Sequence, residues 1–231
     1  MNEKEFVKSL HAAHKFYADQ LGLADILAGP TSLSVNKDFN RIALDTDVPY
    51  TDIFFAGLRM GQYNFTLVDY SYFQFSFENS DDLRYAFYPS PFTSGALDQI
   101  NQLQTVLVDR EAADVELLMN FAEAMAVNYS RPLVRYEYNI EQYEVGNHPV
   151  SHFHIGTYGD DRWVAQKRLT PMAFVLLIAK LYFRSYWEVV TDITNERREN
   201  EFDLILEKER DGCALTPGEK FSCELKSFYL A

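Results

Sequence analysis

Several features by which protein functions are commonly recognised are missing from this sequence. Only two of its 231 residues are cysteines, Cys213 and Cys223, and neither has a partner at metal-ligand spacing. A disulfide framework and a cysteine-based zinc site are therefore excluded, and we expect both thiols to be reduced. A glycine-rich phosphate loop, a Gly-x-Ser-x-Gly elbow and a Cys-x-x-Cys pair are also absent. The sequence thus lacks the signatures of the common enzyme classes.

Positive charge and long apolar runs are scarce as well. Lys and Arg number 21 against 34 Asp and Glu, which gives a formal net charge of −13 at pH 7. Such a surface repels a polyanion, so general nucleic-acid binding is disfavoured. No run approaches the ~18 to 20 apolar residues that span a bilayer, and residues 1–10 hold no signal-peptide core. We therefore expect a cytoplasmic protein with no membrane association.

Apolar and aromatic residues are plentiful. They make up 47% and 15% of the chain, and the aromatic share favours a sheet because aromatic rings pack well on a pleated surface. No Gly-, Ser- or Pro-rich linker divides the chain. We predict one α+β domain over residues 1–231, with an aromatic-rich, mainly antiparallel sheet packed on a buried helix at about residues 171–187.

Helical spacing of apolar residues predicts three helices. An amphipathic N-terminal helix covers Glu3 to Leu27, and a second helix covers Asp109 to Val127. The buried helix begins at Thr170-Pro171, with Thr170 as the cap and Pro171 at the first helical position. It is apolar on nearly every side, which is typical of a helix that a sheet packs on.

Alternating or short apolar runs predict strands elsewhere. The clearest is Leu133 to Ile140, which alternates strictly. Weaker runs are Arg41 to Leu44 and Ile53 to Leu58, a hairpin over Tyr63 to Phe77, Leu83 to Tyr88, and a C-terminal β-hairpin formed by Phe202 to Glu207 and Phe221 to Tyr229. Within the aromatic strands we expect Asp69 and Arg84 to form an ion pair.

The stretch from Gly146 to Trp163 holds three of the five histidines. His148, His152 and His154 fall at even spacing, so on a strand they point to one face. If Val150 to Gly156 pairs with the Leu133 to Ile140 strand, Arg135 and Glu137 come near His152 and His154 on a polar face.

Three interpretations of this stretch stay open. The histidines can be structural, bonded to neighbouring turns. They can be catalytic, with His148 and His152 as acid and base and with Arg162 and Arg135 stabilising charge on a phosphate. They can also bind a metal through His152 and His154, with His148 or Asp160 as a third ligand.

Two stretches resemble a bacterial family known as domain of unknown function 2290. They are YNFTLVDYSYFQFSF followed by LRYAFYPSPF, and NHPVSHFHIGTYGDDRWVAQKRLTPMAFVLLIAKLYF; the features shared with the family are Asp69, Arg84 to Pro91, His148 to Gly156, Arg162 and Pro171 to Phe183. The resemblance covers the central part of the chain. It implies that the position of His154 varies among members, which favours His148, Ser151, His152 and Arg162. It implies a bacterial origin and an accessory role in phage-defence or mobile-element loci, but no reaction.

Two hypotheses for the function follow. The first, which we prefer from the sequence, is an acidic accessory subunit that binds a protein partner, with a basic effector as the complementary choice. The second is a phosphodiesterase or nuclease-like hydrolase that uses His148, His152 and Arg162. The sequence gives no cofactor.

Overall fold

A computed structural model of the chain describes residues 1–24, 29–31, 33, 36–107, 112–127, 131–157, 159, 161–189, 200–216 and 229–230, with the backbone alone for 112, 113, 189, 229 and 230. The helices are α1 (Glu3–Lys15), which continues as a π-helical segment (Phe16–Gln20), α2 (Lys37–Leu44), α3 (Tyr50–Arg59), α4 (Ser94–Val106), α5 (Ala112–Met125), α6 (Pro171–Tyr182), α7 (Arg184–Val189) and α8 (Glu201–Gly212). The strands are β1 (Phe65–Thr66), β2 (Tyr72–Asn79), β3 (Asp82–Tyr88), β4 (Val134–Asn139), β5 (Ser151–Ile155), β6 (Trp163–Ala165), β7 (Lys167–Arg168), β8 (Ala214–Leu215) and β9 (Tyr229–Leu230).

The main sheet is built around β2 to β5. Its order is β1-β2-β3-β4-β5-β6-β9, and every neighbouring pair is antiparallel except β6 with β9. A second, two-stranded sheet pairs β7 with β8. The prediction of an α+β fold with an aromatic-rich, mainly antiparallel sheet is confirmed.

One face of this sheet packs on α6, as predicted. The Thr170 side chain accepts a hydrogen bond from the Ala173 N–H at the start of α6. Phe174 of α6 is fully buried and contacts the rings of Phe73, Phe75 and Tyr85 edge-on. The helix stops at Tyr182, and α7 continues after Phe183, so the predicted helix is interrupted once.

The N-terminal helix lies against the same layer. Asn2 and Glu5 form a capping box that fixes its start. The helical segment ends at Gln20, before Gly22, which has a φ of 64° that glycine adopts without strain. The helix is therefore confirmed but ends earlier than the predicted Leu27.

The opposite face of the sheet is covered at one end by α2 and α3, and here the prediction of strands is wrong. Asn36 caps α2 by accepting from the Asp38 and Phe39 N–H groups. Tyr72 of β2 stacks on Tyr88 and donates its hydroxyl to the Phe54 carbonyl of α3. Apolar runs this short fit a strand and a buried helix equally well. The Asn36 cap favours the helix at α2, whereas α3 begins after Pro49, which makes no side-chain capping bond.

The C-terminal region needs a similar correction. Residues Phe202 to Glu207 lie inside α8, which Asn200 caps, and not in a strand. Of the second predicted run only Tyr229 is described, in β9. The tail still returns to β-structure, because β8 and β9 pair with β7 and β6.

The expected ion pair between Asp69 and Arg84 is also wrong. Asp69 accepts from the backbone N–H and the hydroxyl of Ser71, whereas Arg84 pairs with Asp82 at 3.2 Å. Arg84 stands opposite Ser76, several residues from the end of β2 that adjoins Asp69. In the portion of the chain that the structure describes, no helix is both long enough and apolar enough to cross a membrane.

Candidate functional site

The histidine stretch forms its polar cluster where β4 pairs with β5. Arg135 stands opposite His154 and Glu137 stands opposite His152, so the predicted convergence of these four residues is confirmed. Because side chains alternate along a strand, the intervening Tyr136 turns to the α6 side. The four polar side chains share the other face.

Three of these side chains present ligand atoms to one point. His152 Nε2 and His154 Nε2 are 3.0 Å apart, and the two Glu137 carboxylate oxygens lie 4.0 Å and 3.9 Å from them. The ligand atoms of the three residues all lie within 4.8 Å of one another. Both histidines are almost wholly buried, and Glu137, whose side chain is 20% exposed, connects the cluster to solvent.

The hydrogen bond of the second ring nitrogen fixes the tautomer of His152. Its Nδ1 is 2.9 Å from the Pro149 carbonyl oxygen, which can only accept, so Nδ1 carries the proton. In the neutral ring the Nε2 lone pair is then free to accept from the Nε2–H of His154. Among the described residues, Nδ1 of His154 has no hydrogen-bond partner although it is buried.

Burial keeps both rings neutral at pH 7. It lowers the pKa of His152 to about 4, aided by the nearby His148 and Arg162. It lowers the pKa of His154 to about 3, aided first by the positive charge of Arg135 and then by His152. Neutral imidazoles are the form that ligates metals and accepts protons.

His148 and Arg162 lie at the border of this cluster. The rings of His148 and His152 meet edge-on with centroids 4.8 Å apart. Burial, and then the charge of Arg162, lower the pKa of His148, while Glu137 opposes that change. Arg162 precedes β6 by one residue, and its charge acts on all three histidines. His148, His152, Arg135 and Arg162 are thus brought to one region.

Ser151 and Asp160, which were candidates from the sequence, are not part of the described cluster. Ser151 points to the opposite face, where its hydroxyl bonds Tyr136 and the Lys167 carbonyl, so it is a packing residue. Asp160, named above as a third ligand, lies outside the described residues. Glu137 takes the place of that third ligand; it was not among the candidate site residues, although the strict alternation of β4 pointed to its position.

The cluster fits a divalent metal ion. Two ligand atoms about 2.1 Å from one ion and about 90–109° apart are separated by roughly 3.0–3.4 Å. The histidine pair at 3.0 Å meets this spacing, and the partly exposed Glu137 side chain, whose two oxygens lie 4.0 Å and 3.9 Å from the nitrogens, must move closer. His154 would then carry its proton on Nδ1, a change of tautomer within a neutral ring. The bond from His152 to Pro149 is the kind of outer contact that orients ligating histidines.

These observations define an α+β protein with a buried two-histidine, one-carboxylate cluster on the sheet face opposite its main core. A family model described as "Uncharacterized conserved protein (DUF2290)" matches residues 27–216, and the chain belongs to this family. No curated protein matches the chain, and no solved structure matches it either. The predicted family resemblance is therefore confirmed, and the family assigns no reaction.

Proposed function

We propose that the protein is a metal-dependent hydrolase that binds one divalent first-row ion, such as Zn²⁺, through Glu137, His152 and His154 and cleaves a phosphodiester. The convergence of the two Nε2 atoms and the Glu137 carboxylate carries this proposal. Glu137 lies opposite His152, and the Pro149 carbonyl fixes the His152 tautomer, as outer contacts do for histidines that bind metals. Two imidazoles with one carboxylate form a common catalytic ligand set with open positions.

The surrounding residues supply the remaining roles. A bound ion would supply Lewis acidity and a water of lowered pKa. Neutral His148 accepts a proton from the attacking water, the oxygen of that water bonds to phosphorus, the ester P–O bond breaks, and the proton passes to the departing alkoxide. Arg162 and Arg135 balance the negative charge that develops on the phosphoryl oxygens.

Metal binding tests the first part of the proposal. The full chain, dialysed against chelator, is titrated with Zn²⁺ and with Mn²⁺ by calorimetry, beside His152→Ala, His154→Gln and Glu137→Gln. We expect one site in the wild type and a loss of affinity of at least about tenfold in each variant. His11→Gln is the matched control, because His11 is exposed on α1.

Hydrolysis of bis(p-nitrophenyl) phosphate by the metal-loaded protein tests the second part. Activity should disappear in His154→Gln and persist in His11→Gln. Equal metal binding by wild type and His154→Gln, or no stoichiometric binding at all, would contradict the metal site.

A second candidate function is the acidic accessory subunit, and a separate observation favours it. Helices α4 and α5 contact each other and leave Val106, Val115 and Leu117 at least half exposed, beside the exposed acidic residues Asp98 and Glu116. With a net charge of −13, the partner suited to this surface is a basic protein. A role in phage defence or mobile elements rests on the family resemblance and stays a prediction.

Purification of tagged protein from its native host tests this candidate. A basic partner should co-purify with wild type in a salt-sensitive manner and should be lost from Leu117→Asp. It should be retained by Leu181→Asp, since Leu181 is equally exposed on α6. Recovery of the partner from both variants would contradict a docking role for α4 and α5.

A further inference from the structure

Arg135 is a largely buried cation that pairs with no carboxylate among the described residues. The residue is 8% exposed, its Nε is buried without a hydrogen-bond partner, and its guanidinium forms no ion pair with the residues that the structure describes. By contrast Arg84, on the neighbouring strand and the same face, is exposed and pairs with Asp82. A guanidinium that is this deeply buried and has no paired anion is destabilising to the fold, so such a residue is typical of a site that receives an anion.

The position of Arg135 sets where that anion lies. Arg135 stands directly across from His154, and its charge acts on both His154 and His152. An oxyanion held by its planar group therefore lies on the His154 side of the cluster. Arg162 lies on the other side of the histidines and adds a second positive charge to the same region.

Burial and net charge limit the size of the anion. His152 is fully buried and His154 is 3% exposed, so the phosphates of a nucleic-acid duplex or a long single strand cannot approach their ring nitrogens. The net charge of −13 repels a polyanion, whereas a single phosphate group beside Arg135 meets that positive charge and the one nearby carboxylate of Glu137.

We propose that Arg135 forms an anion subsite for a single phosphate group and that the substrate is a small phosphate ester of mononucleotide size. The choice of substrate class rests on the proposed hydrolase function, whereas anion binding by Arg135 does not. The two can therefore fail separately.

Binding of inorganic phosphate to chelator-treated, metal-free protein tests the subsite. Calorimetric titration at low salt should give one site in wild type and in Arg84→Met, with affinities within about twofold, and at least about tenfold weaker binding in Arg135→Met. If Arg135→Met does not fold, Arg135→Lys replaces it; this variant keeps the charge but loses the planar donors, and we expect at least about fivefold weaker binding. Equal binding by wild type and the Arg135 variant, or no binding by wild type, would overturn the proposal.

Competition tests the size limit. The p-nitrophenyl ester of thymidine 5′-monophosphate should displace phosphate from the wild type, and a single-stranded oligonucleotide of about 20 nucleotides at equal phosphate concentration should not. Stronger, Arg135-dependent displacement by the oligonucleotide would overturn the assignment to small esters and point to a nucleic-acid site. Because the protein is metal-free here, failure of the metal site leaves these results unchanged.

Discussion

The two faces of β4 and β5 differ although neighbouring residues of the same strands build them. Tyr136 and Phe153 contact each other in the aromatic layer beneath α6. Glu137 follows Tyr136 in β4, and His152 precedes Phe153 in β5. Glu137 and His152 lie opposite each other on the other face. Both pairs are largely shielded from water, but Tyr136 and Phe153 have apolar neighbours, whereas Glu137 and His152 have ionisable ones.

This difference shows how the fold can accommodate a buried polar cluster that lowers its stability. Burying unpaired polar groups destabilises a protein. The aromatic layer under α6 offsets that cost, because large apolar side chains contribute most of the free energy of folding. We therefore expect substitutions on the α6 face to change stability, and substitutions on the histidine face to change how stability depends on pH.

The largest effect should come from the α6 face. Phe174→Ala removes a fully buried ring that contacts Phe73, Phe75 and Tyr85, and should lower the free energy of unfolding by about 3–5 kcal/mol in urea denaturation. Leu181→Ala is the control on the same helix, because Leu181 is 60% exposed. A loss for Phe174→Ala as small as that of the control would show that α6 is not the main support of the sheet.

The second effect belongs to the histidine face and depends on pH. The pKa of His152 is lowered to about 4 and that of His154 to about 3, below the ordinary value near 6.5. Between these limits the unfolded chain binds more protons than the folded one, so stability falls as pH falls from about 6.5 to about 4. We expect His152 and His154 to contribute roughly 3 kcal/mol each to this fall.

Urea denaturation of metal-free protein at several pH values measures this effect. The fall in stability should be clearly smaller in His154→Gln than in wild type, and unchanged in His11→Gln. If the free energy of unfolding depended on pH in the same way in wild type and His154→Gln, the prediction that the histidine face controls the pH dependence of stability would be wrong.

The smallest of the three effects tests the polar contacts inside the aromatic layer. The Tyr136 hydroxyl bonds the Ser151 hydroxyl and the Lys167 carbonyl and accepts from the Leu169 N–H. Tyr136→Phe leaves these buried groups with fewer partners and should cost about 1–2 kcal/mol in thermal or urea unfolding. Tyr186→Phe, at a 45% exposed position, should change stability very little; a similar cost at both positions would contradict a special role for the buried hydroxyl.

The part of the site that lies on regular strands could be predicted from the sequence. The strict alternation of Leu133 to Ile140 predicted β4, and its pairing with β5 put Arg135 and Glu137 beside the histidines. The distance between the two Nε2 atoms and the bond from His152 to Pro149 could not be predicted, because side-chain rotation and loop path determine them.

The errors at α2 and α8 share one physical cause. In Phe202 to Glu207 the apolar residues fit a period of two, through Phe202 and Leu204, and also a helical spacing, through Phe202 and Ile205. Asn200, whose side chain accepts from the Phe202 N–H, decides for the helix. A side-chain cap also marks the start of α4, which was not predicted: Thr93 accepts from the Ala96 N–H.

The register of β4 on β5 has a consequence for how this protein can change. The connection between the strands contains Gly146, with a φ of 80°, and a bridge between Glu144 and His148. A slip of one residue would turn His152 toward the aromatic layer and Phe153 toward Arg135, because side chains alternate with a period of two. Insertions or deletions that shift this pairing are tolerated only in even steps. A change in loop length that alters the register therefore affects the aromatic core and the histidine cluster together.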